Sequence, residues 1–349
     1  MANLTVGPIL DYAIKNWASD VHITEGQAVW FRIHWKLWKL QNSWIIDKLK
    51  ARQILLELMN DNKTEAKEFL DSHDADFSYV HTDWTPFRCN AFFKLWKVAF
   101  VLRRIAADAV PMEKLWLPEW VHKFTKAKQG LILVTWPTWS GKSTSMISIL
   151  DEINKTRREH ILTLEDPVEF IFTDNKSIFS QRHIGHDSKS FAAALRAAMR
   201  EDPDIVVVWE MRDKETVEAA MELAETWHLV ISTLHTAWSV ATITRLVNFF
   251  PPDLQHAVRY KLGDILFWVL SQRLIPKAEW EWREWIFEVM MMTSWIKNLI
   301  RSWDLVQINN AIEMGQWDGM ITMKNYADRK AQLWLINEKD YINYFQEDM

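Results

Sequence analysis

The chain has 349 residues and a formal charge of −5, and its 49% hydrophobic and 25% charged content is that of a globular protein with a sizeable core. No apolar run nears the roughly 18 residues that span a bilayer, the start MANLTVGPILDYAIKNW lacks the pattern of a leader, and Cys89 is the single thiol, so a soluble cytosolic protein is expected. The acidic balance gives no whole-chain field for nucleic acid, and two counts are abnormal: 8 glycines where about 7% would give roughly 25, and 22 tryptophans.

The first hundred residues read as a small α+β unit. Leu10, Ala13, Ile14 and Trp17 have the spacing of a helix with one buried face. Val29, Phe31, Ile33, Trp35 and Leu37 alternate with polar neighbours as in a half-buried strand, and a second helix follows over about 47–60. The stretch FRCNAFFKLWKVAFVLRRI is strand-like, with Val98, Phe100 and Leu102 on one face, and suggests a small antiparallel sheet backed by helices. Residues 106–118 carry two prolines and no clear period, which places a linker there.

After the linker, short apolar runs alternate with helices. GLILVTW, HILTLED, DIVVVWE and HLVISTLH read as buried strands, and SFAAALRAAMR and KETVEAAMELAET as helices between them, which predicts a mostly parallel sheet with helices on both faces. The helix after the first of these strands has Met146, Ile149, Leu150 and Ile153 on one face. From Pro251 the chain reads as almost all helical, beginning with DLQHAVRYKLGDILFWVLSQRL, and AEWEWREW reads as a turn. The predicted division is an N-terminal domain over 1–106, a linker over 107–120, an α/β core over 121–275 and a mainly helical region over 276–349.

Between the strand GLILVT and the next helix lies WPTWSGKSTS, residues 136–145. A P-loop reads G-x-x-x-x-G-K-[ST]; its backbone N–H groups wrap phosphates, its lysine reaches the β/γ oxygens and its hydroxyl binds Mg²⁺. Gly141, Lys142, Ser143 and Thr144 fit that pattern, while Trp136 stands at the first glycine position and Pro137, Thr138, Trp139 and Ser140 fill the loop. The triplet alone is weak, and its strand-to-helix position gives it weight over an ordinary helix cap. Glu165, Asp166 and Glu210 end neighbouring strands, where ligand and metal chemistry gathers in open α/β sheets, and His235 holds the equivalent place on another. Each singly is more often a solvated strand end; together beside a candidate P-loop they form a candidate site.

These residues resemble the type IV pilus retraction ATPases of the secretion ATPase superfamily. The resemblance covers nearly the whole chain, through SDVHIT (19–24), FRIHWKL (31–37), FRCNAFF (87–93), the P-loop, TRREHILTLEDPVEF (156–170), QRHIGHD (181–187), LRAAMREDPDIVVVWEMRD (195–213), AETWHLVISTLHT (224–236), SQRLIP (271–276) and WIKNLIR (295–301). It implies a PAS-like N-terminal domain, a RecA-like ATPase core and a homohexameric ring that binds ATP and Mg²⁺ between these domains and drives pilus retraction. By the same resemblance Lys142 would bind phosphates, Ser143 Mg²⁺, Glu165 would be the acidic-box glutamate and Glu210 the Walker B glutamate. His228 and His235 match the histidine box, and Arg88, Arg103 and Arg104 lie where arginines are offered to phosphate. The implied location is cytoplasmic, peripheral at the inner face of the cell membrane. The implied partners are an inner-membrane platform protein and a paralogous retraction ATPase, with no nucleic acid; the lack of a four-cysteine zinc insertion favours the retraction branch.

The departures are systematic. Family glycines stand as tryptophan at Trp35, Trp96, Trp136, Trp139, Trp209 and Trp227, and in AEWEWREW, MGQWDG and AQLWLIN. A bulky residue forced to positive φ costs roughly 1–3 kcal/mol, so the alternative expectation is a weakened or inactive ring subunit that acts through assembly. A nucleic-acid motor of the wider RecA-like group is a third reading, and the acidic balance argues against it.

Overall fold

The structure, a computed structural model, describes residues 5–33, 36–39, 45–59, 63–105, 109–115, 117, 121–135, 142–278 and 283–336. It divides into two compact units, 1–108 with 167–171, and 109–166 with 172–349.

In the first unit α1 (Val6–Lys15) precedes β1 (Asp20–Thr24), β2 (Trp30–Ile33) and β3 (Lys36–Lys39). Then come α2 (Lys48–Leu58), α3 (Lys63–Ser72), β4 (Asp74–Val80), β5 (Pro86–Lys94) and β6 (Lys97–Arg104). The strands form one antiparallel sheet in the order β3-β2-β1-β6-β5-β4. Its core joins Ile9, Leu10, Val21, Phe31, Phe87 and Leu102 of the strands and helices. The Asp47 carboxylate caps α2 by accepting the Lys50 N–H at 2.9 Å, satisfying one of the free donors of the first turn.

Three expectations change here. Within 29–37, β2 and β3 are two paired antiparallel strands rather than one, Trp35 lies outside the described residues, and Leu37 is exposed. FRCNAFFKLWKVAFVLRRI is likewise two strands, turning at Leu95 and Trp96 between the paired Lys94 and Lys97. Trp17 lies beyond the end of α1 and is exposed, so the buried face of that helix is Val6, Ile9, Leu10 and Ala13. Period-2 alternation runs on through a tight two-residue turn, and KLWK has none of the Asn-Gly chemistry that would mark one.

Cys89 on β5 is fully buried, and burial pushes its thiol pKa up. Native protein should therefore resist an excess of thiol reagent that labels Cys89 stoichiometrically once the chain is unfolded, read by mass spectrometry.

In the second unit a 3₁₀ turn at Met112–Leu115 buries Met112 and Leu115, and α4 (Val121–Phe124) leads to β7 (Gly130–Thr135) and α5 (Lys142–Thr156). Next are β8 (His160–Glu165), β9 (Ile178–His183), α6 (Phe191–Ala198), β10 (Ile205–Val208), α7 (Lys214–Glu225) and β11 (Leu229–Leu234). The chain continues as α8 (Ser239–Asn248), α9 (Pro252–Ile265), β12 (Leu266–Pro276), β13 (Arg283–Met291), α10 (Ser294–Ser302), α11 (Ile308–Met314) and α12 (Met323–Gln332). The sheet order is β13-β12-β7-β11-β10-β8-β9, parallel throughout except for the β12–β13 hairpin at its edge.

The helical reading from Pro251 onward is thus corrected: the helix stops at Ile265, and 266–276 and 283–291 are strands. Leu266, Val269 and Leu270 are buried against β7, and a short apolar run of this kind fits a core strand as well as a buried helix by period alone. The close β7–β12 approach needs a residue without a side chain at Gly130, where φ is +99° and a Cβ would lie 2.9 Å from the Ile265 carbonyl oxygen. Among the described residues no helix is long and apolar enough to cross a membrane.

Candidate functional site

The carboxyl ends of β7, β8, β10 and β11 share one edge of the parallel sheet. β7 ends at Thr135 and α5 begins at Lys142, so the loop between a buried strand and a helix N-terminus is where phosphate is best held, by free N–H groups and the positive end of the helix dipole. Trp136, Pro137, Thr138, Trp139, Ser140 and Gly141 lie outside the described residues, as do the side chains of Lys142 and Ser143; Thr144 is half-buried in the first turn of α5. This stem is fixed by buried polar pairs from β12. Thr135 Oγ1 donates to Ser271 Oγ at 3.0 Å, and Ser145 Oγ donates to Gln272 Oε1 at 2.6 Å.

Glu165 closes β8 with a fully buried carboxylate, whose Oε1 accepts from Thr163 Oγ1 at 2.7 Å and from Gln181 Nε2 of β9 at 3.0 Å. Glu210 stands two residues past β10, on backbone strapped to both neighbours: the Trp209 N–H donates to Leu164, the Met211 N–H to Thr233, and the Trp209 carbonyl accepts from the Thr233 hydroxyl. Its Oε2 accepts from Arg212 Nε at 2.7 Å, and its Oε1 lies 3.2 Å from His235 Nε2. Arg212 also reaches Asp166, at 3.7 Å. The bond to Glu210, helped by the charges of Glu210 and Asp166, raises the Arg212 pKa further, so the guanidinium is a fixed positive charge. The structure thereby links His235, Glu210, Arg212 and Asp166 across the ends of three adjacent strands. Among the described residues the buried Nδ1 of His235 has no hydrogen-bond partner, which leaves a polar atom facing whatever the site would bind.

His228 lies elsewhere. It precedes β11 at the amino end, seven residues and about 23 Å of strand from His235, and its Nδ1 lies 3.1 Å from Thr226 Oγ1 and 3.2 Å from the Leu223 carbonyl.

In the first unit, strand register aligns Arg32, Asp20, Arg103 and Arg88 as successive cross-strand neighbours on the face away from the core. Asp20 is nearly buried and takes Arg103 Nε at 2.8 Å and Arg32 Nε at 3.5 Å. Arg104 projects to the other face, its guanidinium 5.2 Å from the Trp17 ring centroid. Among the described residues the Arg88 side chain has no ion-pair or hydrogen-bond partner. Burial depresses the pKa of neighbouring His22, opposed by Asp20 and reinforced by Arg32 and Arg103, so this row carries its charge on arginine rather than histidine.

Sequence reasoning did not single out Arg212, Gln181, Thr163, Ser271 or Gln272. Their signal is a polar side chain inside an otherwise apolar run, as in LSQRL, or, for Arg212, a place two residues past a named carboxylate.

A helix N-terminus with lysine and serine in its sequence, two buried carboxylates and a histidine nitrogen without a described partner are groups that would fit a Mg²⁺-bound nucleotide. Comparison with known proteins gives the family. The family described as Type II/IV secretion system protein matches residues 2–320. The type IV pilus retraction ATPase PilT of Pseudomonas aeruginosa is 37% identical over 320 residues, 92% of each chain. A twitching motility protein of Neisseria gonorrhoeae is 38% identical over 270 residues, 77% of this chain and 72% of that one. Among solved structures, the crystal structure of the pilus retraction motor PilT with bound ADP aligns with a TM-score of 0.90 at 39% identity, over 97% of this chain and 96% of that one. With an α/β fold of the PilT type and carboxylates at the ends of its parallel strands, the chain belongs to the type II/IV secretion ATPase family, among the type IV pilus retraction ATPases.

Proposed function

We propose that this chain is an ATP-hydrolysing subunit of a hexameric motor that powers type IV pilus retraction, working at the cytoplasmic face of the membrane against an inner-membrane platform protein and beside a paralogous retraction ATPase. One observation carries the catalytic part: Glu210 is held between Arg212 and His235 at the strand ends beside the P-loop stem. Lys142 would hold the β/γ phosphates and Ser143 the Mg²⁺, which supplies charge neutralisation on the phosphates when bound. Glu210, rigidly oriented by its two donors, is the group to align a water and accept its proton. Glu165, tied to Thr163 and Gln181, keeps a second carboxylate fixed at the neighbouring strand end.

Arg88, unlike the engaged Arg103 and Arg104, is the arginine available to a neighbouring subunit's nucleotide. Arg88→Ala should lower kcat about 10³-fold or more with little change in KM for ATP. Arg103→Ala should instead lower the thermal stability of the first unit, because buried Asp20 loses its shorter ion pair and keeps the Ser19 hydroxyl and the longer Arg32 contact. Steady-state kinetics and calorimetry of the two variants check this assignment.

The tryptophans at 136 and 139 favour one second reading, a ring subunit weakened in turnover that acts through assembly. Phosphate release with Mg·ATP, measured against Lys142→Ala, separates the two. Release that Lys142→Ala abolishes supports the motor; no release from either chain supports the assembly subunit.

A further inference from the structure

Outside the site, the least ordinary feature of the molecule is where its tryptophans sit. Among the described residues nine non-glycine positions have positive φ, and six of them are tryptophan: Trp17, Trp84, Trp96, Trp227, Trp303 and Trp334. Tryptophan makes up 22 of 349 residues, so chance would place it at fewer than one of nine.

Local geometry says what each position wants. Trp303, at φ +63°, follows α10 while the next N–H, that of Asp304, returns to the Leu299 carbonyl at 2.9 Å; this is the helix-terminating loop whose left-handed residue is usually glycine. The same pattern follows α1, where Trp17 is left-handed and the Ala18 N–H returns to Ala13 at 2.9 Å. It also follows α12, where Trp334 is left-handed and the Leu335 N–H returns to Lys330 at 3.1 Å. Trp227 stands just past the C-cap of α7. In the β5–β6 hairpin Leu95 and Trp96 have φ of 49° and 67°, a type I′ turn whose second central residue is most often glycine. Trp84 is the left-handed residue closing the β4–β5 turn.

Packing does not explain the aromatic ring. Trp17, Trp84, Trp96, Trp227 and Trp334 are 75%, 84%, 96%, 82% and 87% exposed. Each combines backbone strain with almost no buried area, and a β-carbon at such a position costs roughly 1–2 kcal/mol. Positions 136 and 139, in the phosphate loop, ask for the same residue for a second reason, close approach of backbone to ligand. The composition points the same way, because 22 tryptophans and 8 glycines together make 30, near what a chain this long ordinarily holds as glycine.

We infer that the protein made in its own cell carries glycine at 17, 84, 96, 136, 139, 227, 303 and 334, and so has a complete P-loop, G-P-T-G-S-G-K-S. The chemical route is a codon. UGA is a stop in the standard genetic code and is assigned to tryptophan in some codes and to glycine in others. A gene with UGA at these positions therefore spells tryptophan under one assignment and glycine under the other. The P-loop half rests on the nucleotide-site reading above; the six left-handed positions rest on backbone geometry alone.

The test is peptide mass spectrometry of the protein isolated from its own cells, with the codons of its gene read alongside. Glycine is expected at the six left-handed positions and at 136 and 139, with an intact mass below 41.4 kDa by a whole number of tryptophan-to-glycine differences. Tryptophan at the six, or UGG codons there, overturns the inference; glycine at the six with tryptophan at 136 and 139 overturns its P-loop half. Glycine throughout in a protein that releases no phosphate from ATP leaves this inference standing and overturns the motor reading instead.

Discussion

Glu210→Gln should bind nucleotide as the parent chain does and hydrolyse it about 10²–10⁴-fold more slowly, the range for losing a positioned general base. The substitution keeps shape and one carbonyl oxygen, so the hydrogen bond from Arg212 can persist while the negative charge and the capacity to accept a proton are lost. His235→Ala leaves that carboxylate in place with Arg212 still on Oε2, and frees only Oε1, so its effect on kcat should be smaller. Arg212→Ala removes the fixed cation that ties Glu210 to Asp166 and should loosen the orientation of the base rather than delete it. Single-turnover hydrolysis with parallel binding measurements ranks the three. If Glu210→Gln turns over like the parent while Lys142→Ala does not, another group positions the water and the role given to Glu210 is wrong.

The ordering of these effects depends on elements that differ in how plainly the sequence announces them. β7, β8, β10 and β11 are legible as strands because each is a short apolar run with a polar residue at its carboxyl end, and that residue marks the functional edge of a parallel sheet. Glu165, Glu210 and His235 could be placed at one edge from spelling alone. What spelling cannot convey is the cross-strand chemistry, such as Gln181 reaching Glu165 from β9 or Gln272 reaching Ser145 from β12. Those bonds depend on register between segments far apart in the chain. β12 is misread as helix because Leu266–Leu270 is apolar at every position, exposed Phe267 and half-buried Trp268 included, so no apolar–polar alternation reveals a strand. The two hairpins of the first unit are hidden for another reason. A turn is recognised by glycine, asparagine or aspartate, and at Trp96 the residue that should mark it is aromatic.

That substitution of mark by ring leads to the largest stability effect expected of the chain. Taken as written, with tryptophan throughout, and then changed at Trp17, Trp84, Trp96, Trp227, Trp303 and Trp334 to glycine, the protein should become more stable by about 3–6 kcal/mol across its two units. Each site loses roughly 1–2 kcal/mol of left-handed strain, set against about 0.5–1 kcal/mol of extra backbone entropy that glycine brings to the unfolded chain. Five of the six rings are mostly in solvent, so their loss removes little buried area; Trp303, half-buried beneath Arg259, should gain least. Against a total of about 5–15 kcal/mol this is a large fraction, enough to decide whether the chain folds well at all. Trp317 supplies the control. It is fully exposed but is not among the positive-φ residues, so Trp317→Gly should relieve no strain and bring only the entropic penalty. Calorimetry of the parent, the six-site variant and Trp317→Gly separates backbone strain from a general benefit of removing exposed aromatic rings. A six-site variant no more stable than Trp317→Gly would show that these left-handed positions carry tryptophan without strain.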